Sequence, residues 1–161
     1  MTQQLTGHAR KYGDNINTDI ISPPAYMELS IEDAAKYAMS PIDADFAKKV
    51  KPGDIFVAEN NLGSGSSRET APLTLKALGI RVIIAKSYAR IFYRNCINLG
   101  ILALTCQDAD RIQEDDALRI DLEGAKIINE TRNEEYAFPP MPEHLLRLIQ
   151  AGGLVRYLEQ H

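Results

Sequence analysis

Apolar residues in this chain occur in short blocks that alternate with segments of helical periodicity. Three blocks are continuous apolar runs, and the two segments between them space apolar residues as one helix face does. In chain order these five segments are residues 55–58, 73–78, 82–85, 87–100 and 101–104. Continuous apolar runs are typical of buried parallel strands, and strands joined through helices form right-handed crossovers. The pattern therefore predicts an α/β fold with a β-α-β-α-β unit over residues 55–105.

Weaker patterns extend the prediction to both sides of this unit. A short strand region precedes the turn at Gly13, and Ser30 begins a helix that runs to about Met39. A rigid Pro-Pro pair ends any regular element before that helix. Beyond the unit we expect three short strands and a C-terminal helix, near residues 118–122, 126–129, 136–138 and 142–150. The whole chain, residues 1–161, is expected to form one domain.

The loop after the first strand of the unit carries the candidate chemistry. It reads Asn60-Asn61-Leu62-Gly63-Ser64-Gly65-Ser66-Ser67-Arg68-Glu69, and the helix that follows it is expected to end at Gly79. Helix starts present unpaired N–H groups and a positive dipole end, and an arginine adds a planar fork suited to a carboxylate or phosphate. This glycine–serine loop, residues 60–69, therefore favours a site for an anion beside a hydroxyl.

Two other interpretations fit the same residues. Ser66 and Glu69 match a capping box, whose role is only to begin a helix. The Gly-x-Gly spacing resembles part of a dinucleotide fingerprint, but Arg68 stands at the third glycine position, and the lysine of a Walker loop is missing. Pro72 would fall inside a helix that began at Ser66, so either its first turn is distorted or the regular helix starts near Thr70.

Composition narrows the class of function. The chain is 45% hydrophobic and 25% charged, with a net charge of −4, which is ordinary for a globular protein and argues against a nucleic-acid partner. No apolar run reaches the length of a membrane span and the N-terminus lacks a signal-peptide core, so we expect a cytoplasmic protein.

Metal ligands are scarce as well. Cys96 and Cys106 show no Cys-x-x-Cys spacing, and His8, His144 and His161 are scattered and expected at the surface. An iron–sulfur cluster needs three or four thiolates, and zinc needs ligands at set spacings. We therefore expect no metal or cofactor on this chain, and any metal chemistry would need a metal supplied by another chain.

Four separated segments resemble one protein family. They are residues 13–23, 50–54, 61–69 and 84–100, and the resemblance extends over about residues 7–158. The chain is similar to the small subunits of 3-isopropylmalate dehydratases, which are equivalent to the swivel domain of the aconitase superfamily. The Gly-x-Gly-Ser-Ser-Arg-Glu sequence is the most specific part of the resemblance. It implies the β/β/α fold of the swivel domain.

The resemblance also implies a hydro-lyase that is active only as a heteromer. In that family a large subunit binds a [4Fe–4S] cluster and the small subunit closes over it. A small 2-hydroxy acid loses water and regains it with the hydroxyl on the neighbouring carbon, a step of leucine biosynthesis. The family implies that Ser66 is the base and that Ser67 and Arg68, with Gly65, bind the substrate carboxylate. It places Asp19 at the rim of the site, although a turn role bonding its own backbone fits that residue equally well.

The segment Tyr26-Met27-Glu28-Leu29 is implied to select the substrate. Relatives that act on tricarboxylic acids have an arginine there, and those that act on isopropylmalate have apolar residues. This segment has no arginine, and Glu28 would repel a third carboxylate, so citrate and homocitrate are disfavoured. Met27 and Leu29 could line a pocket for an alkyl group. Because Glu28 also departs from the isopropylmalate pattern, dimethylmalate, homoaconitate and methylcitrate types of substrate stay open.

Two further features leave alternatives open. Arg90 and Arg94 lie four residues apart on one helix face, where they are either solvated or paired within the chain, or meet substrate or the large subunit. In a different class of function, the chain would be a non-catalytic anion-binding module with the same fold. The intact Ser66-Ser67-Arg68 set argues for the enzyme, because a purely structural module has no chemical need for it.

Overall fold

The strands and helices follow the order that the sequence predicts. The structure is a computed structural model that describes residues 4–26, 28–65 and 69–150. The strands are β1 (Gln4–Lys11), β2 (Ile55–Val57), β3 (Val82–Ala85), β4 (Leu102–Thr105), β5 (Ala117–Asp121), β6 (Lys126–Asn129) and β7 (Glu134–Ala137). The helices are α1 (Thr18–Ile21), α2 (Ile31–Ala35), α3 (Phe46–Lys49), α4 (Thr70–Ala77), α5 (Arg90–Asn98) and α6 (Glu143–Gln150).

Strand β1 joins a parallel half of the sheet to an antiparallel half. Over the described residues the strand order is β4-β3-β2-β1-β5-β6-β7. The end of β1 pairs in parallel with β2, with Ala9 opposite Ile55. Its beginning pairs antiparallel with β5, with Gly7 opposite Leu118. The parallel strands β1 to β4 therefore end at one edge of the sheet, which we call the carboxyl edge.

Alternate residues of the parallel strands face two different apolar clusters. Phe56 and Ile83 pack with the helices, against Leu75 of α4 and Phe92 of α5. Their neighbours in the same strands, such as Ile55 and Ile84, face the other way. They pack with residues of β5, β6 and β7, which include Ile120, Ile127 and Tyr136. Side chains alternate across a strand, so a strand buried on both faces needs the continuous apolar run that the sequence shows. The result is a helix layer, a parallel layer and an antiparallel layer.

These observations confirm the predicted β-α-β-α-β unit and the β/β/α fold of the swivel domain. The parallel pairings β2 with β3 and β3 with β4 lie within residues 55–105. The three short strands and the C-terminal helix also lie where the sequence placed them. Gly79 has a φ of +92°, the left-handed conformation expected of a glycine that ends a helix.

The helix predicted from Ser30 to about Met39 is shorter than expected. Ser30 does cap it, since its Oγ accepts a hydrogen bond from Asp33 N at 3.2 Å, but α2 ends at Ala35. The chain continues in turns, and Met39 has a φ of +62° while its N–H donates to Ile21 O. Met39 is fully buried in the helix-side cluster. Burial of Met39 against α1 therefore overrides the helical periodicity of this segment.

Ser87 does not begin the second helix of the unit, contrary to the prediction. Helix α5 begins at Arg90, and its N-cap Ala89 makes no side-chain capping bond. Ser87 Oγ instead accepts a hydrogen bond from Asn61 N at 2.8 Å. The serine thus holds a neighbouring loop, and α5 begins three residues after it.

Candidate active site

The glycine–serine loop is held between two neighbouring loops at the carboxyl edge. These are the β1 loop, residues 12–17, and the β3 loop, residues 86–89. Toward the β1 loop and the start of α1, the backbone hydrogen bonds are Asn15 N to Asn60 O (2.9 Å), Gly63 N to Ile16 O (2.7 Å) and Thr18 N to Ser64 O (2.9 Å). Toward the β3 loop they are Leu62 N to Ser87 O (3.1 Å) and Ala89 N to Leu62 O (2.9 Å). Loops at the carboxyl ends of parallel strands are a common place for ligand sites in α/β proteins.

Side chains strengthen the contact between the β1 loop and the glycine–serine loop. Asp14 Oδ1 accepts from Asn60 N at 2.9 Å, and Asn61 Nδ2 donates to Asn15 Oδ1 at 3.1 Å. Asn15 and Asn61 both have positive φ angles, +57° and +59°, which asparagine tolerates better than most residues. The asparagines of this region therefore fix the loop geometry rather than present free amides to solvent.

Gly63 lets the loop lie directly on helix α5. Its φ is +85°, and a Cβ built on it would lie 2.0 Å from Cγ of Phe92. Gly65 also has a positive φ, +99°, and a Cβ there would lie 3.4 Å from Oγ1 of Thr18. Glycine is thus required at the two positions for different reasons. At Gly63 both the left-handed conformation and the short distance to Phe92 require it, and at Gly65 mainly the left-handed conformation does.

The three residues expected to carry the chemistry, Ser66, Ser67 and Arg68, lie outside the described residues. The described chain reaches Gly65 on one side and resumes at Glu69, the N-cap of α4. Because α4 begins at Thr70, the second of the two expectations for this helix is confirmed. Pro72 falls in its first turn, where a missing N–H leaves no helix bond unmade.

Asp19 lies in the first turn of α1 with an exposed side chain. The helix start is capped by a neighbouring residue, because Asn17 Oδ1 accepts from Ile20 N at 2.9 Å. The amide that an Asx turn at Asp19 would use is that of Ile21, two residues on, and it donates to Asn17 O at 3.2 Å. The placement of Asp19 beside Thr18, whose N–H bonds the glycine–serine loop, is compatible with a position at the rim of the site.

The predicted specificity segment is anchored by an aromatic stack. Tyr26 ends a short 3-10 helix, Pro24–Tyr26, and its ring stacks on Tyr37 with centroids 3.9 Å apart and an interplanar angle of 8°. Glu28 is exposed, Leu29 is 43% exposed, and Met27 lies outside the described residues. Tyr26 therefore serves to hold the segment, and Glu28 and Leu29 are its described side chains that face solvent.

The cations at the carboxyl edge differ in their pairing. Lys11 at the end of β1 pairs with Glu59 (Nζ to Oε2, 3.1 Å), and Lys86 after β3 pairs with Asp110. The hydrogen bond from Lys86 lowers the pKa of the Asp110 carboxyl. Arg90 and Arg94 are exposed and make no ion pair within residues 4–26, 28–65 and 69–150, so in this part of the chain they are solvated.

Sequence reasoning missed two residues of the site, Thr18 and Asn17. Thr18 is buried and Asn17 caps α1, and both contact the chain next to Gly65. An asparagine directly before a helix start is a recognisable capping signal. The burial of a threonine among polar loop residues carries no such local signal.

The cysteines and histidines do not form a metal site in the described part of the chain, where no group of three or more acidic, cysteine or histidine side chains converges. Cys96 is buried in the helix-side cluster and Cys106 in the other, and burial raises the pKa of both thiols. Such thiols are poor ligands, because a metal binds the thiolate. They do not fit an iron–sulfur cluster. His8 and His144 are exposed, as expected, and His161 lies outside the described residues.

The chain matches the model of one protein family, the aconitase C-terminal domain, over residues 3–109. It therefore belongs to the aconitase C-terminal domain family. The small subunit of 3-isopropylmalate dehydratase of Nautilia profundicola is 46% identical over 157 residues, which cover 97% of this chain and 95% of that protein. Small subunit 1 of the enzyme of Archaeoglobus fulgidus is 47% identical, with 94% of each chain covered.

A solved structure agrees with these relatives. The crystal structure of 3-isopropylmalate dehydratase from Methanocaldococcus jannaschii superposes with a TM-score of 0.93 at 40% identity, covering 98% of this chain and 95% of that one. Within the aconitase family, the chain thus belongs to the 3-isopropylmalate dehydratase small subunits. Among the described residues, no helix is both long and apolar enough to cross a bilayer.

Proposed function

We propose that this chain is the small subunit of a hydro-lyase that moves the hydroxyl of a 2-hydroxy acid to the neighbouring carbon, with 3-isopropylmalate as substrate. The observation that carries the proposal is the glycine–serine loop, fixed by backbone bonds from two neighbouring loops at the carboxyl edge. These bonds hold the chain up to Ser64, two residues before the three to which the family resemblance assigns the chemistry, and a group on a held backbone loses less freedom on binding. Relatives that cover nearly the whole chain support the same assignment.

In the proposed reaction Ser66 is the base. The C–H bond next to a carboxylate breaks, its proton goes to the Ser66 oxygen, and hydroxide leaves the adjacent carbon; re-addition in the opposite sense gives the isomer. A serine hydroxyl is a weak base and needs positive groups nearby to act as an alkoxide. Arg68 would supply that field and, with Ser67 and the backbone of Gly65, would bind a substrate carboxylate through two parallel hydrogen bonds. Asp19 is assigned to the rim.

In this proposal a partner subunit, and not this chain, provides the metal. A large subunit would hold a [4Fe–4S] cluster, which when bound supplies the Lewis acid that makes hydroxide a tolerable leaving group. The buried thiols of this chain are unsuited to hold it, so the small subunit contributes the base and the carboxylate site. Two free thiols also suit a reducing compartment, which supports a cytoplasmic location.

The exposed end of the specificity segment supports an alkyl substituent on the substrate. Leu29 offers apolar surface, and a carboxylate at Glu28 would repel the third carboxylate of citrate or homocitrate. Isopropylmalate is therefore the proposed substrate, and 2,3-dimethylmalate is the nearest competitor because it carries the same two carboxylates and a smaller alkyl portion.

The test is activity of the reconstituted complex. The chain is co-expressed with a large-subunit candidate, the cluster is reconstituted anaerobically, and turnover is measured on isopropylmalate, dimethylmalate, citrate and homocitrate. We expect turnover on isopropylmalate above the others. A stable complex without turnover of any of the four acids would support the non-catalytic anion-binding module instead.

Matched variants test the roles within the loop. Ser66→Ala should lower kcat by about 100-fold or more, as expected for loss of a general base, while Ser64→Ala, in the same loop, should leave it nearly unchanged. Arg68→Lys should lower kcat/KM because lysine cannot make the two parallel bonds, and Arg94→Lys is its control. Normal turnover in Ser66→Ala would remove Ser66 from the mechanism.

A further inference from the structure

Thr18 carries a buried hydroxyl that no described residue satisfies. The residue is 4% exposed, and Oγ1 is closed off from solvent without a hydrogen-bond partner in the described part of the chain. A buried polar group without a partner destabilises the folded state, because it has lost its bonds to water. Such groups are few in native proteins and call for a physical reason.

The hydroxyl lies against the glycine–serine loop at the residue before Ser66. A Cβ built on Gly65 would lie 3.4 Å from Thr18 Oγ1, and Thr18 N donates to Ser64 O at 2.9 Å. The backbone of Thr18 thus holds the loop just before Gly65, while its side chain is next to Gly65 itself. No other described hydroxyl near this loop is both buried and unpartnered.

Local structure does not use this hydroxyl. A threonine side chain in a helix often donates to a carbonyl three or four residues earlier. Thr74 does this in α4, where its Oγ1 donates to Ala71 O at 2.7 Å and the residue is fully buried. In α1, by contrast, Thr18 is the first residue, so the carbonyls three and four residues earlier belong to the β1 loop and not to a preceding helical turn. The Thr18 hydroxyl therefore makes no hydrogen bond within its own helix.

We propose that Thr18 is a positioning residue for the Ser66 base. Its hydroxyl donates a hydrogen bond to the backbone of Gly65 when the substrate complex forms, and so restrains the residue that directly precedes Ser66. Within the described residues of the isolated subunit the hydroxyl has no partner, and the bond is made only in the reacting complex. Holding a reacting group in the correct orientation lowers the entropic part of the barrier. The inference rests on the proposed function.

The test compares Thr18→Val with Thr74→Val, because valine removes the hydroxyl and keeps the shape. In the isolated subunit, Thr18→Val should leave the Tm unchanged or raise it, since no bond is lost. Thr74→Val should lower the Tm, since its bond to Ala71 is lost. In the assembled enzyme, Thr18→Val should lower kcat at least tenfold with KM within about twofold, and Thr74→Val should leave kcat near wild type. Thr18→Ser should restore kcat.

Each contrary outcome has a distinct meaning. A Tm for Thr18→Val lowered as much as for Thr74→Val would show that the hydroxyl is satisfied in the folded subunit, and would overturn the proposal. Wild-type kcat in Thr18→Val would overturn it as well, and a raised KM with unchanged kcat would assign the hydroxyl to substrate binding instead. If the wild-type complex turns over none of the acids, the proposed function fails, while the Tm comparison still decides whether the hydroxyl is unsatisfied.

Discussion

Replacement of Gly63 by alanine tests whether the glycine–serine loop lies as close to helix α5 as the structure indicates. An added Cβ would lie 2.0 Å from Cγ and 2.3 Å from Cβ of Phe92, and the residue has a φ of +85°. The left-handed conformation costs a residue with a Cβ about 1–2 kcal/mol. Overpacking of a well-packed contact adds about 1–3 kcal/mol. We therefore expect Gly63→Ala to lower the free energy of unfolding by about 2–5 kcal/mol.

Two other glycines separate these contributions. Gly53 has a φ of +94° but no atom within 4 Å of an added Cβ, so Gly53→Ala should show the conformational cost alone, about 1–2 kcal/mol. Gly13 has neither a left-handed φ nor a close neighbour, and Gly13→Ala should be neutral or stabilising by up to about 1 kcal/mol. The difference between Gly63→Ala and Gly53→Ala is then the contribution of the contact with Phe92.

The assay is urea unfolding of the isolated chain. The chain has no tryptophan, so far-ultraviolet circular dichroism is the suitable probe. The three variants should differ in midpoint with similar slopes, since the surface exposed on unfolding is the same. If Gly63→Ala and Gly53→Ala agree within about 0.5 kcal/mol, the loop does not press on Phe92 and the reasoning is refuted. Adding Phe92→Leu to Gly63→Ala should recover part of the loss.

Three further predictions concern other parts of the molecule. Buried Asp116 accepts hydrogen bonds from Asn129 and Arg132; burial raises the pKa of its carboxyl, but these bonds outweigh it and the net pKa is lowered. Asp116→Asn should therefore cost about 1–3 kcal/mol at neutral pH, and the difference from wild type should shrink in unfolding curves below about pH 4, as the carboxylate is protonated; a pH-independent difference would contradict this. Tyr37→Ala should remove the stack on Tyr26 and speed limited proteolysis near residues 24–29, with Tyr37→Phe as the unchanged control. The two buried thiols should react with a disulfide reagent much more slowly in the native chain than in urea, and rapid native reaction of either would show that it is accessible.

Much of the fold could be predicted because its signals are local. The apolar runs at β2, β3 and β4 are buried on both faces, so each shows in the sequence without any knowledge of its neighbours. Gly79 ended α4 as predicted, since the left-handed conformation there is set by residue type. The predicted helix boundaries were wrong where a contact with a residue distant in the sequence replaced a local one. Met39 lies beyond the end of α2 and is buried in the core, and Ser87 accepts a hydrogen bond from Asn61 instead of capping α5.

The sequence predicted the class of site and, through the family resemblance, the residues expected to carry its chemistry. A glycine–serine loop with an arginine, together with only two cysteines, pointed to half of an active site, because these features depend on residue type and spacing alone. How that loop is held depends on the tertiary structure. Bonds from Asn15, Ile16, Thr18 and Ser87 come from segments far away in the chain, and only the parallel order of β1, β2 and β3 brings them together. The Thr18 hydroxyl, which has no partner among the described residues, likewise depends on the tertiary structure, because burial is a property of the packed molecule and not of any segment.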